Sequence, residues 1–155
     1  MQSSACIQGI SGAYKRLIMI TVELIGHPLI SVREVLPDDS PEAVKDKNKK
    51  PFIAMASALI KVLYNGKIYY VTNETGYCYD GATIPFKIGK GNMKLLIPAL
   101  YHDIICEDKS KVDYNRYLSS LIFRELLIQC KVNKIVAYAM FLTVDTYQRF
   151  MRGWK

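Results

Sequence analysis

The feature that most constrains the fold is the pair Asn65-Gly66. It separates two runs rich in β-branched, aromatic and aliphatic residues, 62–64 and 67–71. Asn-Gly supplies the two positive-φ positions that a tight type I′ turn requires, and the twist of this turn matches that of two paired strands. The two runs are therefore predicted to form an antiparallel hairpin.

Two further strands and a loop are predicted before this hairpin. β-Branched and apolar residues over 14–25, and a partly alternating pattern over 29–36, favour strands. The span 37–51 is rich in charged residues and proline, so it is predicted to be a loop. One helical turn is expected after Ser40-Pro41, because serine caps a helix and proline fits its first position.

After the hairpin the pattern changes from strand to helix. The chain is expected to stay extended over 72–79 and to stop pairing near Gly81 and Pro85, since proline lacks the N–H that a strand ladder uses. Helical spacing of apolar residues then predicts three helices. They cover 98–105, with Pro98 in the first turn; Val112 or Asp113 to Cys130; and the capping residue Asn133 to about Arg152.

These elements predict an α+β fold in a single domain, residues 1–155. An N-terminal antiparallel sheet, with the hairpin near 60–72, is covered by about three C-terminal helices. A chain of 155 residues that is 50% hydrophobic is large enough to bury roughly two-thirds of its unfolded surface. Residues 1–13 are small and polar, and they are expected to be loosely held or docked by a partner.

The sequence predicts neither a membrane span nor a secretory signal peptide. The longest apolar runs, such as 17–21 and 95–100, are far shorter than the roughly 20 residues that a spanning helix needs. No small-residue cleavage site follows the first run. The four cysteines include no Cys-x-x-Cys pair for zinc or thiol redox chemistry, so reduced thiols are expected.

The net charge of +7 is concentrated near the C-terminus. Residues 109–155 hold nine Lys or Arg against three acidic residues. A basic face of this kind can bind nucleic acid or an acidic partner. The structural alternative is that cations near helix C-termini interact favourably with the helix dipole. No nucleic-acid motif accompanies the charge, so nucleic-acid binding through 109–155 is the less favoured interpretation.

A polar cluster between Tyr77 and Asp113 is the candidate site. A corner at Asp80-Gly81-Ala82-Thr83-Ile84-Pro85 is followed by the helix motif Pro98-Ala99-Leu100-Tyr101-His102-Asp103 and then by Asp113. His102 and Asp103 diverge by about 100° on a helix, so only one of them is expected to face a pocket. Asp80 is placed to accept a hydrogen bond from the imidazole or from backbone amides.

Two chemical roles follow from these residue types. His102, Asp103 and Asp80 are candidate catalytic residues, because a histidine held by a carboxylate has the basicity that a general base needs. Asp80, His102 and Asp113 are candidate ligands of a divalent metal ion, since carboxylates and imidazole are common ligands of such ions.

A structural role for the same cluster remains open. Gly81, Thr83 and Pro85 are expected to shape the turn that scaffolds the site. A bond from the aspartates to His102 or to backbone can pin the hairpin corner to the helix, with no chemistry involved. Cys106 lies one helical turn after His102 and is interpreted as a small core residue.

The motifs around the candidate site resemble those of a family of small proteins of unknown function encoded by tailed bacteriophages and prophages. The resemblance covers about residues 60–150 and rests on Tyr64-Asn65-Gly66-Lys67, Tyr77-x-x-Asp80-Gly81-Ala82-Thr83-Ile84-Pro85, Pro98-Ala99-x-x-His102-Asp103 and Asp113. In that family a serine stands where this chain has Thr83. An arginine and an alanine precede the acidic residue that matches Asp113, and the span 109–113 lacks both. The resemblance implies a phage origin and supplies no reaction.

Three functions are compatible with the resemblance and the polar cluster. The first is a structural or accessory protein of the virion or tail, with other phage structural proteins as partners, located in the particle or in the infected host cytoplasm. The second is a small hydrolase that uses His102 with the aspartate carboxylates, with or without a divalent metal. The third is a host-directed factor that counters host defence.

Overall fold

The structure, a computed structural model, describes residues 19–25, 32–81, 93–107 and 115–151. Over these ranges the chain forms six strands and four helices, in the order β1 (Ile20–Ile25), β2 (Val32–Glu34), α1 (Pro41–Asp46), β3 (Phe52–Ala54), β4 (Ala58–Tyr64), β5 (Lys67–Asn73), β6 (Cys78–Tyr79), α2 (Met93–Glu107), α3 (Arg116–Gln129) and α4 (Lys134–Met151). The predictions for residues 1–13 and for Thr83, Pro85 and Asp113 lie outside the described residues.

The strands form two antiparallel sheets of three strands, which we call the hairpin sheet (β1-β4-β5) and the small sheet (β2-β3-β6). The predicted hairpin is confirmed, with β4 and β5 paired up to Tyr64↔Lys67. Asn65 and Gly66 form its turn with φ of 49° and 79°, as a type I′ turn requires.

The helical turn predicted after Ser40 is confirmed as α1. The Ser40 side chain accepts a hydrogen bond from the Ala43 N–H, and Pro41 occupies the start of the helix, where a missing N–H costs nothing. Ala43 is buried in a small apolar cluster with Val35 and Ile53. This cluster holds α1 against the small sheet.

The prediction of one extended run over 72–79 is wrong. β5 ends at Asn73, a turn follows, and β6 pairs with β3 in the small sheet. Gly76 allows this turn because its φ is +88°, a conformation that residues with a Cβ rarely adopt. The Gly76 N–H donates to the Ala54 carbonyl at 2.7 Å, which ties the turn to the end of β3. The chain therefore passes from one sheet to the other here.

The predicted start of the first long helix is also wrong. α2 begins at Met93, so Pro98 lies inside the helix and not in its first turn. Proline inside a helix lacks the N–H that bonds four residues back. The side chains of Leu95, Leu96 and Ile97 are almost fully buried, and this burial offsets the lost hydrogen bond.

The last two helices begin at asparagine caps. α3 begins at Arg116 and not at Val112 or Asp113, because the Asn115 side chain accepts a hydrogen bond from the Leu118 N–H at 2.7 Å. The predicted cap of α4 is confirmed, since Asn133 Oδ1 accepts from the Ile135 N–H at 2.8 Å. None of the helices in the described ranges is long and apolar enough to cross a membrane.

Two apolar clusters form the main core, and they confirm the α+β fold. The larger cluster lies between the two sheets and helices α2 and α3; it includes Val22 and Ile60 from the hairpin sheet, Tyr79 from the small sheet, and Leu96 and Leu126 from α2 and α3. The smaller cluster lies among α2, α3 and α4. α2 and α3 both contribute to the two clusters, so together they form the middle layer of the fold.

An ion pair joins β2 to the turn before α1. The Arg33 guanidinium donates to both carboxylate oxygens of Asp39, at 2.6 and 2.5 Å, and the Leu36 N–H donates to the same carboxylate at 2.7 Å. These bonds lower the pKa of Asp39 to about 2, and the bond from Arg33 has the largest effect.

The lowered pKa of Asp39 predicts a pH dependence of stability. The folded pKa lies below the ordinary value, so the stabilisation is present above about pH 4 and is lost as the pH falls towards 2. We expect Asp39→Asn to flatten this part of the curve of unfolding free energy against pH, measured by urea denaturation at several pH values. Asp38→Asn, at the exposed neighbouring carboxylate, is the control; an equal effect of both substitutions contradicts the assignment.

Candidate functional site

Asp80 and Asp103 line one cleft, although they lie on separate elements. Asp80 follows β6 directly, and Asp103 lies in α2. The cleft has a volume of about 230 Å³, and its other lining residues in the described ranges are Lys49, Lys50 and Glu107. Of the adjacent pair His102 and Asp103, it is therefore the aspartate that faces a pocket.

Glu107 is a third carboxylate of this cleft, and sequence analysis missed it. Its Oε1 accepts from Lys50 Nζ at 2.9 Å, and its Oε2 accepts from the Tyr77 hydroxyl at 2.7 Å. These bonds join the loop after α1, the turn before β6 and the last turn of α2. The sequence could have indicated Glu107 as a cleft residue through its spacing, because it lies four residues after Asp103 and therefore on the same face of the helix.

Tyr77 and Glu107 also line a second cleft, of about 520 Å³, together with the turn after β5. Burial, followed by the hydrogen bond to Glu107, raises the pKa of Tyr77. The phenol is therefore a neutral donor at physiological pH. The Lys50 ammonium also lies 5.8 Å from the centre of the Tyr77 ring, so it contacts both members of this pair.

His102 lies on another side of α2, between α3 and α4. Its Nε2 lies 2.6 Å from Gln148 Nε2, and its ring centre lies 5.2 Å from that of Phe123. Cys106 Sγ is 3.7 Å from the same Nε2, so the prediction that Cys106 shares the face of His102 and is buried is confirmed. An Nε2 that accepts from an amide leaves the proton of a neutral imidazole on Nδ1, 3.7 Å from Asp103 Oδ1.

Gln148 is the centre of this polar group, and sequence analysis missed it as well. Its side chain is completely buried in α4. Its Oε1 lies 3.1 Å from Ser119 Oγ and 3.3 Å from Ser120 Oγ, and its Nε2 donates to Cys106 Sγ at 3.1 Å. The amide thus has partners on both α2 and α3. Its position four residues after Val144, on the inward face of α4, was the sequence signal for burial.

Gly81, at the start of the predicted corner, has a conformation and a packing that favour glycine. Its φ is +76°, and a Cβ at this position would lie 2.8 Å from the Phe52 ring, closer than carbon atoms approach. Glycine therefore allows both the backbone conformation and the close packing of β3 against the corner. The other scaffold residues, Thr83 and Pro85, lie outside the described residues, as does the candidate metal ligand Asp113.

The described residues contain no group of three His, Cys, Asp or Glu side chains placed to hold a metal ion. Asp80 and His102, the two candidate ligands that the structure describes, are positioned differently: Asp80 lines the cleft with Asp103, whereas the contacts of His102 are with α2, α3 and α4. A metal shell that includes Asp113 lies outside the described residues and stays a prediction.

Comparison with known proteins gave no match: no family model, no curated protein and no solved structure is similar to the chain.

The contact between His102 and Gln148 predicts a coupled loss of stability. His102→Ala removes the partner of a buried amide, so we expect the free energy of unfolding to fall by about 1–3 kcal/mol. When His102→Ala is combined with Gln148→Ala, the two losses of unfolding free energy should depart from additivity by on the order of 1 kcal/mol, measured by a double-mutant cycle in urea. Gln129→Ala on α3, which bonds the Val22 carbonyl instead, is the matched second substitution and should be additive. Additivity with both glutamines contradicts the contact.

The packing at Gly81 predicts a difference between two glycines with similar backbones. Gly76 has φ +88° with no atom within 4 Å of an added Cβ, so Gly76→Ala measures backbone strain alone, about 1 kcal/mol. Gly81→Ala adds a collision with the buried Phe52 ring and should cost about 1–3 kcal/mol more. Equal losses in urea unfolding followed by circular dichroism would mean that the ring moves without cost.

Proposed function

We propose that the chain is a phage-encoded accessory protein of the virion or tail, and that His102 and Asp103 stabilise its fold and take no part in catalysis. The surroundings of His102 support this structural role. Its imidazole is held by Gln148 and packed on Phe123 between helices, and it is not among the described residues that line the cleft of Asp103, although its Nδ1 lies 3.7 Å from Asp103 Oδ1. A general base must reach a substrate proton directly or through one water molecule. The phage part of the proposal rests on the resemblance of the motifs.

The carboxylates of the cleft also support a structural role. Glu107 is engaged by Lys50 and by Tyr77, so one carboxylate holds three segments together. Such networks perturb titration without taking part in chemistry. The bonds stabilise the contact between the small sheet and the end of α2.

The basic residues of 109–155 are partly used inside the protein. Arg116 pairs with Asp145, and Arg124 pairs with Glu125 on the same helix. Arg124 also lies over the Phe141 ring, with 5.5 Å between the guanidinium carbon and the ring centre. These contacts favour the structural interpretation of the charge over a nucleic-acid surface, and protein partners in the particle are the binding partners that we propose.

A small hydrolase is the second candidate, because Asp80, Asp103 and Glu107 line one cleft. Carboxylates in one cleft are the groups that acid-base or metal-assisted hydrolysis uses. In such a hydrolase Asp103 acts as the general base, the role that the sequence predicted for His102. No described contact favours the third candidate, a host-directed factor.

The proposal predicts that the protein is a constant component of the particle. Mass spectrometry of phage particles, purified from the strain that carries the gene, should find it at a fixed copy number relative to a major structural protein. An abundant early protein of the same phage is the control for contamination and should be absent. Absence of the chain from particles, while it is present in the lysate, overturns the proposal.

Phage that carries Asp103→Asn distinguishes the accessory protein from the hydrolase. A structural role predicts that the variant unfolds at a lower temperature and that particles which incorporate it keep normal infectivity. The hydrolase candidate predicts that the variant is incorporated and stable but that infectivity falls. His102→Gln is the matched variant outside the cleft.

A further inference from the structure

The exposed half of α4 carries several large apolar side chains. Its large exposed apolar side chains are Ile135, Val136, Tyr138, Leu142, Tyr147 and Phe150. The opposite side is also apolar, with Ala137, Met140 and Phe141 buried in the protein. A contiguous group of large exposed apolar side chains on a protein surface marks a site of contact with another molecule. The exposed half of α4 is therefore a candidate contact surface.

This surface, which we call the α4 strip, carries little unbalanced charge. The charged residues of α4 are Lys134, Asp145 and Arg149. Asp145 pairs with Arg116 of α3, and Arg149 Nη2 lies 4.0 Å from the same carboxylate. Lys134 stands at the first residue of the helix. Covering the strip would therefore desolvate little charge.

We infer that the α4 strip is the interface of a homodimer, in which α4 packs antiparallel against α4 of a second copy. The strip is symmetric along the helix, because Leu142 lies at the centre of Lys134–Met151, with Ile135 near one end and Phe150 near the other. A twofold axis beside Leu142 brings the two Leu142 side chains together and sets Ile135 of each copy against Phe150 of the other.

The positions of the cations favour the antiparallel arrangement. It places Lys134 of each copy beside the C-terminal end of the other α4, where the helix dipole favours a cation, although Arg149 of that copy lies in the same last turn. A parallel arrangement would place the two Lys134 ammonium groups together. Arg149 is partly balanced by Asp145 in its own copy, so it does not oppose the contact strongly.

The area is sufficient for a reversible dimer. Since a buried aromatic side chain covers roughly 150–250 Å², the six exposed side chains present on the order of 600 Å² per copy. Two copies then bury on the order of 1,200 Å², the lower end of stable interfaces. Each copy carries a net charge of +7, so raising the salt concentration should not weaken the dimer.

The test is sedimentation equilibrium of the full chain from about 1 to 200 µM, a range that brackets a micromolar dissociation constant. We expect a monomer-dimer equilibrium. Ile135→Glu and Leu142→Glu should each raise the dissociation constant at least about tenfold. A glutamate at 135 lies in the first turn of α4, where it favours the helix dipole, so this variant should dimerise less without losing thermal stability.

The matched control is Ile68→Glu, on the exposed side of β5. Ile68 is 54% exposed and Leu142 is 46% exposed, so both substitutions place a carboxylate at a comparable apolar surface. The control should leave the dissociation constant unchanged. Leu142→Cys tests whether the two copies meet at this residue, because mild oxidation should link two copies of this variant on a non-reducing gel and should not link copies of Ile68→Cys.

Several outcomes overturn the inference. A monomer over the whole concentration range shows that the strip is not a dimer interface, and a dimer that both glutamate variants leave intact places the interface elsewhere. A dimer without the Leu142→Cys link overturns the antiparallel register. A monomer that sediments with vesicles of phosphatidylcholine and phosphatidylglycerol, and loses this binding in Ile135→Glu, assigns the strip to an anionic lipid surface. These results do not depend on whether the chain is part of a phage particle.

Discussion

The burial of α2 on two of its sides is the constraint on which the rest of the structure depends. Leu96 belongs to the cluster that α2 and α3 form with both sheets, whereas its neighbour Leu95 belongs to the cluster that α2 forms with α3 and α4. Two buried phenols fix the helix on the sheet side: the Tyr79 hydroxyl donates to the Leu96 carbonyl at 3.0 Å, and the Tyr101 hydroxyl donates to Asn73 Oδ1 at 3.1 Å. Burial raises the pKa of both phenols, so they stay neutral donors.

The same packing separates the neighbours of the Asp-His motif. Because successive residues of a helix point about 100° apart, Asp103 reaches the cleft beside the small sheet while His102 reaches α3 and α4. Glu107 and Gln148 then complete the two polar groups on these different sides. The neighbours His102 and Asp103 therefore make their main contacts on two sides of one buried helix, although His102 Nδ1 stays 3.7 Å from Asp103 Oδ1.

Local rules predicted part of the fold, and long-range contacts decided the rest. The Asn65-Gly66 turn and the Ser40 cap depend on residues close in sequence, so their chemistry could be read directly. The turn at Gly76 and the early start of α2 could not, because a bond to Ala54 and the burial of residues 95–97 stabilise them. Tertiary burial overrode the preference of Pro98 for a first turn.

By itself, the sequence determined the hairpin, the α+β class and the divergence of the Asp-His pair, since turn chemistry and helical periodicity are local properties. Only the tertiary structure decided which side of α2 faces a cleft, and which distant residues, Glu107 and Gln148, complete each polar group. It also decided that α4 keeps an exposed apolar half. The physical reason is that a hydrogen-bond partner or a covering layer is chosen by which elements pack together, and that choice is made by burial over the whole chain.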